Sequence, residues 1–303
     1  MLDFLSEEKV SKFIIDGIKE YRQKYPAEEA LNSRIVRPRY PYYGHEVWEE
    51  AASAVLSGAN LLLTGPKATG KNVLAENLAY VFGRPVWNIS FHINIDASYL
   101  IGTDTFDGEK VVFRPGPVYQ CARCGGFGVL DEINMAKSEA LVVLHEILDY
   151  RHTIDIPGYD SIKVNPATRF IATMNYGYAG TRELNEALTS RFVVISMPQI
   201  SMENLQKLLQ HTFPSLKKKW IQQFALLFDD LRRKAEASEV SERAVDLRGL
   251  MDAIRLMQNG LSAGEALNMG ITNKSFDPYE RNLIRDVIKA RIPQNLENQY
   301  FFE

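Results

Sequence analysis

Cysteine is nearly absent: the 303 residues hold two, Cys121 and Cys124. That excludes a disulfide framework and, within this chain alone, a four-cysteine zinc site. There is no surplus of charge of either sign, with 35 Lys and Arg against 38 Asp and Glu and a net charge of −3. A protein that coats duplex nucleic acid displaces counterions with a basic excess. Nucleic acid is therefore disfavoured as a partner, although local basic patches stay open. No stretch reaches the roughly 18 uninterrupted apolar residues that a membrane span needs. The opening MLDFLSEEKV has no basic segment leading into an apolar one, so no secretory signal and a cytoplasmic location are expected. Internal repeats and low-complexity tracts are also missing. What remains, 46% hydrophobic and 24% charged residues, is the composition of a globular chain with a sizeable core and one large or two unequal domains.

Three regions follow from the patterning. Residues 1–42 read as an N-terminal helical appendage and linker: Val10, Phe13, Ile14, Ile18 and Tyr21 recur at helical spacing, and Pro26 and Arg37-Pro38-Arg39 end the pattern. Residues 43–200 alternate short apolar runs with helical stretches, the pattern of parallel β/α units. Strands are expected at Asn60–Thr64, Val86–Ile89, Gly128–Asp131, Phe170–Met174 and Val193–Ser196. Helices are expected at Asn72–Phe82, stopped by Gly83 and Pro85, and at Ser138–Tyr150. Two hairpins interrupt the alternation, one turning at Asp107-Gly108 and one at Pro157-Gly158. Residues 201–303 show helical patterns only.

Leu61-Leu62-Leu63-Thr64 leads into Gly65-Pro66-Lys67-Ala68-Thr69-Gly70-Lys71, and a helix follows at Asn72 and Val73. This is G-x-x-x-x-G-K between a strand and a helix. Glycines let the loop curl so that backbone N–H groups converge on an anion. The helix N-terminus adds partial positive charge, and Lys71 brings a point charge to the β- and γ-phosphates. The usual next residue is a Ser or Thr that ligates Mg²⁺; here it is Asn72, whose carboxamide oxygen is also a hard-cation ligand. Retained hydrolysis with an altered metal shell and nucleotide binding with weak hydrolysis both stay open.

Sixty residues after Lys71, the apolar run Phe127-Gly128-Val129-Leu130 ends in Asp131-Glu132. Two carboxylates at a strand end suit a division of labour, with Asp131 holding magnesium and Glu132 polarising the attacking water. Phe170-Ile171-Ala172-Thr173-Met174 ends at Asn175. At the C-terminal edge of a parallel sheet, where ligands bind, a carboxamide can position phosphate and water together.

The series GPKATGKN, VLDEIN, ATMN and ELNEALTSRF resembles the AAA+ ATPases over about residues 43–292. Within them it is similar to the MoxR branch and its dynein- and midasin-related neighbours. The two hairpins resemble that branch's helix-2 insert and pre-sensor-1 insert. Met135 departs from the Arg that many MoxR-type chains carry after DEIN. The resemblance implies an α/β fold: a P-loop parallel β-sheet sandwiched by helices with β-hairpin inserts, followed by a smaller all-α lid domain. It also implies ATP and Mg²⁺ as the bound groups, with residues 65–73 and Arg248 on the nucleotide and Asn72 and Asp131 on the metal. Lys71, Glu132, Asn175 and Arg191 would be catalytic, Asn175 as sensor 1 and Arg191 as the arginine finger, with Arg182 as a second candidate. Arg248 matches sensor 2, with Arg243 as the fallback. A finger acting between subunits requires a homo-oligomeric ring, a hexamer by resemblance. The branch implies chaperone-like remodelling, assembly or metal-cofactor maturation of a protein client, with a von Willebrand factor A domain protein among the expected partners.

Other classes compete. A small-molecule kinase would need a hydroxyl acceptor pocket, whereas Glu132 beside Asp131 favours water. A nucleotide-dependent scaffold would follow from Asn72, and a GTP- or ATP-driven nucleic-acid motor would need more basic charge. Cys121-Ala122-Arg123-Cys124 is a lone C-x2-C and reads as packing. Lys217-Lys218-Lys219 and Arg232-Arg233 read as solvated helix faces. Tyr42-Tyr43-Gly44-His45 fits packing near a base or plain hinge packing.

Overall fold

In the computed structural model, which describes every residue except 157, 176–182 and 295, the chain forms two compact units, Met1–Pro198 and Gln199–Glu303. No described helix is long and apolar enough to cross a membrane. The first unit begins with α1 (Leu2–Glu7), α2 (Lys12–Lys24), α3 (His45–Leu56), β1 (Asn60–Thr64), α4 (Lys71–Val81) and β2 (Val86–Ser90). It continues through α5 (Ala97–Ile101), β3 (Gly102–Phe106), β4 (Val111–Pro115), α6 (Pro117–Cys124), β5 (Phe127–Asp131) and α7 (Ser138–Leu148). It closes with β6 (Thr153–Ile154), β7 (Ile162–Lys163), β8 (Arg169–Met174), α8 (Glu186–Thr189) and β9 (Phe192–Ser196).

Five of these strands make one parallel sheet in the order β2-β5-β8-β1-β9. Leu61, Leu62 and Leu63 are all buried, as a central parallel strand requires when helices cover both faces. The pleat sends them to opposite sides. Leu61 and Leu63 join a core with Trp48, Leu78 and Phe82, whereas Leu62 joins one with Leu100, Cys121, Leu144 and Phe170. The fold is thus a parallel sheet sandwiched by helices. Gly83, at φ 65, stops α4 as its spacing predicts: Gly83 N–H bonds Tyr80 O at 3.1 Å and Arg84 N–H bonds Ala79 O at 2.9 Å.

Residues 1–42 contribute to this unit's own core. Leu5, Val10, Ile14, Ile18 and Tyr21 are buried with α3, α4 and β1. Gly17 lets α2 approach α3 closely, since a Cβ there would stand 2.9 Å from Leu56 Cδ1. The stretch before Pro41 contains a 3₁₀ turn at Glu29–Arg34.

Both hairpins form. The β3–β4 ladder runs antiparallel from Gly102↔Pro115 to Phe106↔Val111. Asp107 closes it by accepting from the N–H groups of Glu109 and Lys110, each at 3.0 Å. The β6–β7 ladder is only two pairs long, Thr153↔Lys163 and Ile154↔Ile162, and Pro157 at its tip lies outside the described residues. Tyr159 joins the two: its hydroxyl donates to Asp104 Oδ1 at 2.6 Å and its ring lies 5.1 Å from that of Phe113.

The second unit is helical, with α9 (Met202–Thr212), α10 (Lys218–Glu236), α11 (Leu247–Gln258), α12 (Ala263–Gly270) and α13 (Pro278–Arg291). Trp220, Phe224, Leu227 and Leu231 form the buried stripe of α10. Ser262 and Glu265 cap α12 reciprocally, and Asp277-Pro278 opens α13.

Candidate functional site

The strand order reverses beside β1, which lies between β8 and β9 although β2 follows it in sequence. Such a switch point opens a crevice at the C-terminal strand edge, and three of the predicted motifs meet there. After Thr64 the chain curls through Gly65 (φ 150), Ala68 (φ 62) and Gly70 (φ 81) before α4 starts at Lys71. Glycine is required at the first turn, because a Cβ on Gly65 would stand 3.0 Å from Met197 O. The loop is braced from within and below. Thr69 Oγ1 donates to Pro66 O at 3.1 Å, and Gly65 N–H donates to Met174 O at 3.3 Å.

Lys71 is 7% exposed. Its ammonium donates to Gly65 O at 2.9 Å, Pro66 O at 2.7 Å and Thr69 Oγ1 at 3.3 Å. Burial pulls it down to about 8, against the opposing pull of the Asp131 and Glu132 carboxylates. That influence marks both carboxylates as electrostatic neighbours of the loop. Asn72 and Val73, half-buried, complete the first turn of α4, and Lys67 is exposed on the loop.

Asp131 ends β5, and Glu132 follows in the left-handed region at φ 54. That conformation is costly for a residue other than glycine, and one hydroxyl holds it in place. Thr173 Oγ1 donates to Asp131 Oδ1 at 2.6 Å and accepts from Glu132 N–H at 3.1 Å. Glu132 Oε1 in turn accepts from Asn175 Nδ2 at 3.3 Å, and Asn134 Nδ2 donates to Asn175 O at 2.9 Å. The side chain of Glu132 is exposed, so its carboxylate is open to water. Sequence reasoning missed Thr173 and Asn134. The signal for Thr173 was a hydroxyl in the otherwise apolar run Phe170–Met174, on a residue that is only 1% exposed.

Of the predicted arginines, Arg191 is bonded elsewhere in the first unit. Arg191 stands between α8 and β9, bonded to Ala187 O, to His145 O at 3.2 Å and to Asp149 Oδ2 at 3.4 Å. Arg182 lies outside the described residues. Arg248, exposed, sits in the first turn of α11 in the second unit, and Arg243 has its guanidinium 5.6 Å from the centre of the Phe276 ring. Cys121 is wholly buried in the second core of the sheet unit.

Comparison with known proteins matches residues 60–192 to the AAA domain, dynein-related subfamily. The chain is 33% identical over 273 residues to the uncharacterized protein YojN of Bacillus subtilis (strain 168), covering 88% of this chain and 90% of that one. It is 31% identical over 261 residues to the uncharacterized protein SH1500 of Staphylococcus haemolyticus (strain JCSC1435), covering 84% and 99%. A solved chain from Cytophaga hutchinsonii ATCC 33406 is similar with a TM-score of 0.49 and 15% identity, over 98% of this chain and 100% of that one. The matched AAA segment spans the phosphate loop, the strand-end carboxylates and Asn175, and the Bacillus relative is aligned along nine-tenths of its length. The chain therefore belongs to the same family as YojN and carries an AAA domain of the dynein-related subfamily, an AAA+ ATPase fold.

Proposed function

We propose that this protein binds ATP with Mg²⁺ on the loop 65–73 and hydrolyses it, as a ring of identical subunits that remodels or assembles a protein client. The observation that carries the reading is the Thr173 hydroxyl, which bonds Asp131 and Glu132 together one strand away from the loop that ends in Lys71. The curled loop and the α4 N-terminus suit an anion. Lys71, now satisfied by the loop's own oxygens, is the charge that would turn to the β- and γ-phosphates. Asp131 offers Thr173 one carboxylate oxygen and keeps a second for a cation or its water. With the Asn72 carboxamide it makes a hard oxygen donor set that fits Mg²⁺. When bound, the ion supplies neutralisation of phosphate charge.

Glu132, exposed and steadied by Asn175, would accept the proton of a water whose oxygen bonds the γ-phosphorus as the bond to the bridging oxygen breaks. Arg191 would act on a neighbouring subunit's nucleotide. To do so it would have to release its present partners, the Asp149 carboxylate and the carbonyl oxygens of Ala187 and His145. Arg248 would report nucleotide state to the helical unit. Metal-cofactor maturation, with a von Willebrand factor A domain partner, is the client chemistry that the MoxR resemblance favours. The substitution of Asn72 for a hydroxyl residue supports a second reading, a nucleotide-dependent scaffold with weak hydrolysis.

Phosphate release measured across protein concentration tests the proposal. Turnover per chain is expected to fall on dilution, and Arg191→Ala to lower kcat by about 10³ with nucleotide Kd nearly unchanged. A dilution-independent rate or a fully active Arg191→Ala variant refutes shared sites.

A further inference from the structure

The first residues of the chain reach the phosphate loop through a single aromatic ring. Tyr42 is 7% exposed, and its ring is wedged between two glycines. A Cβ on Gly44 would stand 3.0 Å from Tyr42 Cε1, and one on Gly70 3.1 Å from Cε2. Gly44 immediately precedes α3, and Gly70 is the last loop residue before Lys71. No side chain separates the ring from either backbone, so a shift of residues 42–44 is transmitted directly to the turn that presents Lys71.

Two sets of contacts fix that segment. From the phosphate-loop helix, Asn77 Oδ1 accepts from Tyr42 N–H at 3.4 Å and Asn77 Nδ2 donates to Tyr40 O at 2.8 Å, while Trp48 Nε1 donates to Tyr42 O at 2.9 Å. From the other side comes the end of α1. Glu8 Oε2 accepts from Gly44 N–H at 3.1 Å, His45 Nδ1 lies 3.2 Å from Glu8 O, and Phe4 meets Tyr43 edge-on with ring centres 5.4 Å apart. The second set comes from residues that the AAA domain match does not cover.

We propose that Glu8 is a positioning residue for the nucleotide site: it holds Gly44, Gly44 holds the Tyr42 ring against Gly70, and the ring sets the turn from which Lys71 and the first N–H groups of α4 face the phosphates. This rests on the reading of residues 65–73 as a nucleotide loop, so the experiment has two arms. In the nucleotide-free full-length protein, hydrogen exchange is compared between wild type, Glu8→Ala and Glu8→Gln. Glu8→Ala is expected to speed exchange at residues 68–72 while β8 keeps its protection, and Glu8→Gln, which retains an acceptor oxygen, to restore the loop. In the second arm, the Kd for Mg²⁺ and a non-hydrolysable ATP analogue is expected to rise about five- to tenfold in Glu8→Ala, the worth of one ordinary hydrogen bond, and to recover in Glu8→Gln. Unchanged exchange at 68–72 in Glu8→Ala overturns the coupling. An unchanged Kd with faster exchange overturns its effect on affinity. A wild type that binds no analogue overturns the nucleotide reading itself, while the exchange arm still decides the contact.

Discussion

Replacing Thr173 by Val tests the centre of the site, because the change keeps shape and removes only the hydroxyl. That hydroxyl donates to Asp131 at 2.6 Å and accepts from Glu132 N–H at 3.1 Å, and the residue is 1% exposed. A hydrogen bond to a charged group contributes about 1.5–3 kcal/mol, and a buried donor left unpaired costs about 1–3 kcal/mol more. Asp131 is only half-buried and can recruit water in the mutant, so the smaller figures apply and, because the two overlap, the loss is about 2 kcal/mol. For a unit of this size that lowers Tm by roughly 4–8 °C. The larger consequence is for the chemistry. Glu132 holds a left-handed conformation at φ 54, and its backbone anchor in the neighbouring strand is this hydroxyl. Loss of the anchor lets the carboxylate move by distances of order 1 Å, enough to cost about 10²-fold in turnover. Nucleotide Kd, set mainly by the loop and Lys71, is expected to stay within about twofold. Thermal melting, phosphate release and nucleotide titration of wild type, Thr173→Val and Thr173→Ser cover all three quantities, and Thr173→Ser should recover most of the loss. Wild-type melting and turnover in Thr173→Val would refute the assignment of this hydroxyl as the pin between the two strand ends.

Lys71 makes the stability of the nucleotide-free protein depend on pH. Burial holds its folded value at about 8 against an ordinary 10.5, so between these values the unfolded chain binds more protons and stability rises with pH; the penalty is complete below 8. Lys71→Met should therefore melt higher than wild type at pH 7, by a margin that shrinks toward pH 10.5; a margin independent of pH contradicts this. Gly128→Ala puts a Cβ 2.5 Å from the Phe170 ring, and urea unfolding should show a loss of about 1–3 kcal/mol; an unaffected midpoint would mean that β5 and β8 pack differently. Asn72→Thr should lower the Mg²⁺ concentration needed for half-maximal phosphate release severalfold, roughly the effect of one better hard-cation ligand. An equal or higher requirement identifies Asn72 as the adapted ligand.

Local chemistry was legible from residue order. The stop at Gly83, the loop 65–71 between strand and helix, the turn at Asp107-Gly108 and the amphipathic helices beyond residue 201 depend on neighbours within about a dozen positions, where turn preferences and hydrophobic period operate. The strand ends at Asp131 and Met174 were legible for the same reason. Contacts spanning longer separations were not. The bond of Thr173 to Asp131 depends on β8 lying beside β5, and the pairing of Arg191 with Asp149 depends on α8 reaching the end of α7. The spacing of Val10, Ile14 and Ile18 announced a helix without naming the surface that receives it, which is the core shared with Trp48 and Leu78.

Residue order by itself determined the elements, their type and the presence of a phosphate loop followed by paired carboxylates, since each is specified by nearby side chains and backbone geometry. The tertiary structure decided what those parts meet: which strand stands beside β1, which hydroxyl pins Glu132, and that the end of the first helix closes on Tyr43 and Gly44, next to the Tyr42 ring that packs against Gly70. Strand order and helix docking are set by burying apolar faces from distant segments together, and many distant partners offer such a face while only the assembled core selects one.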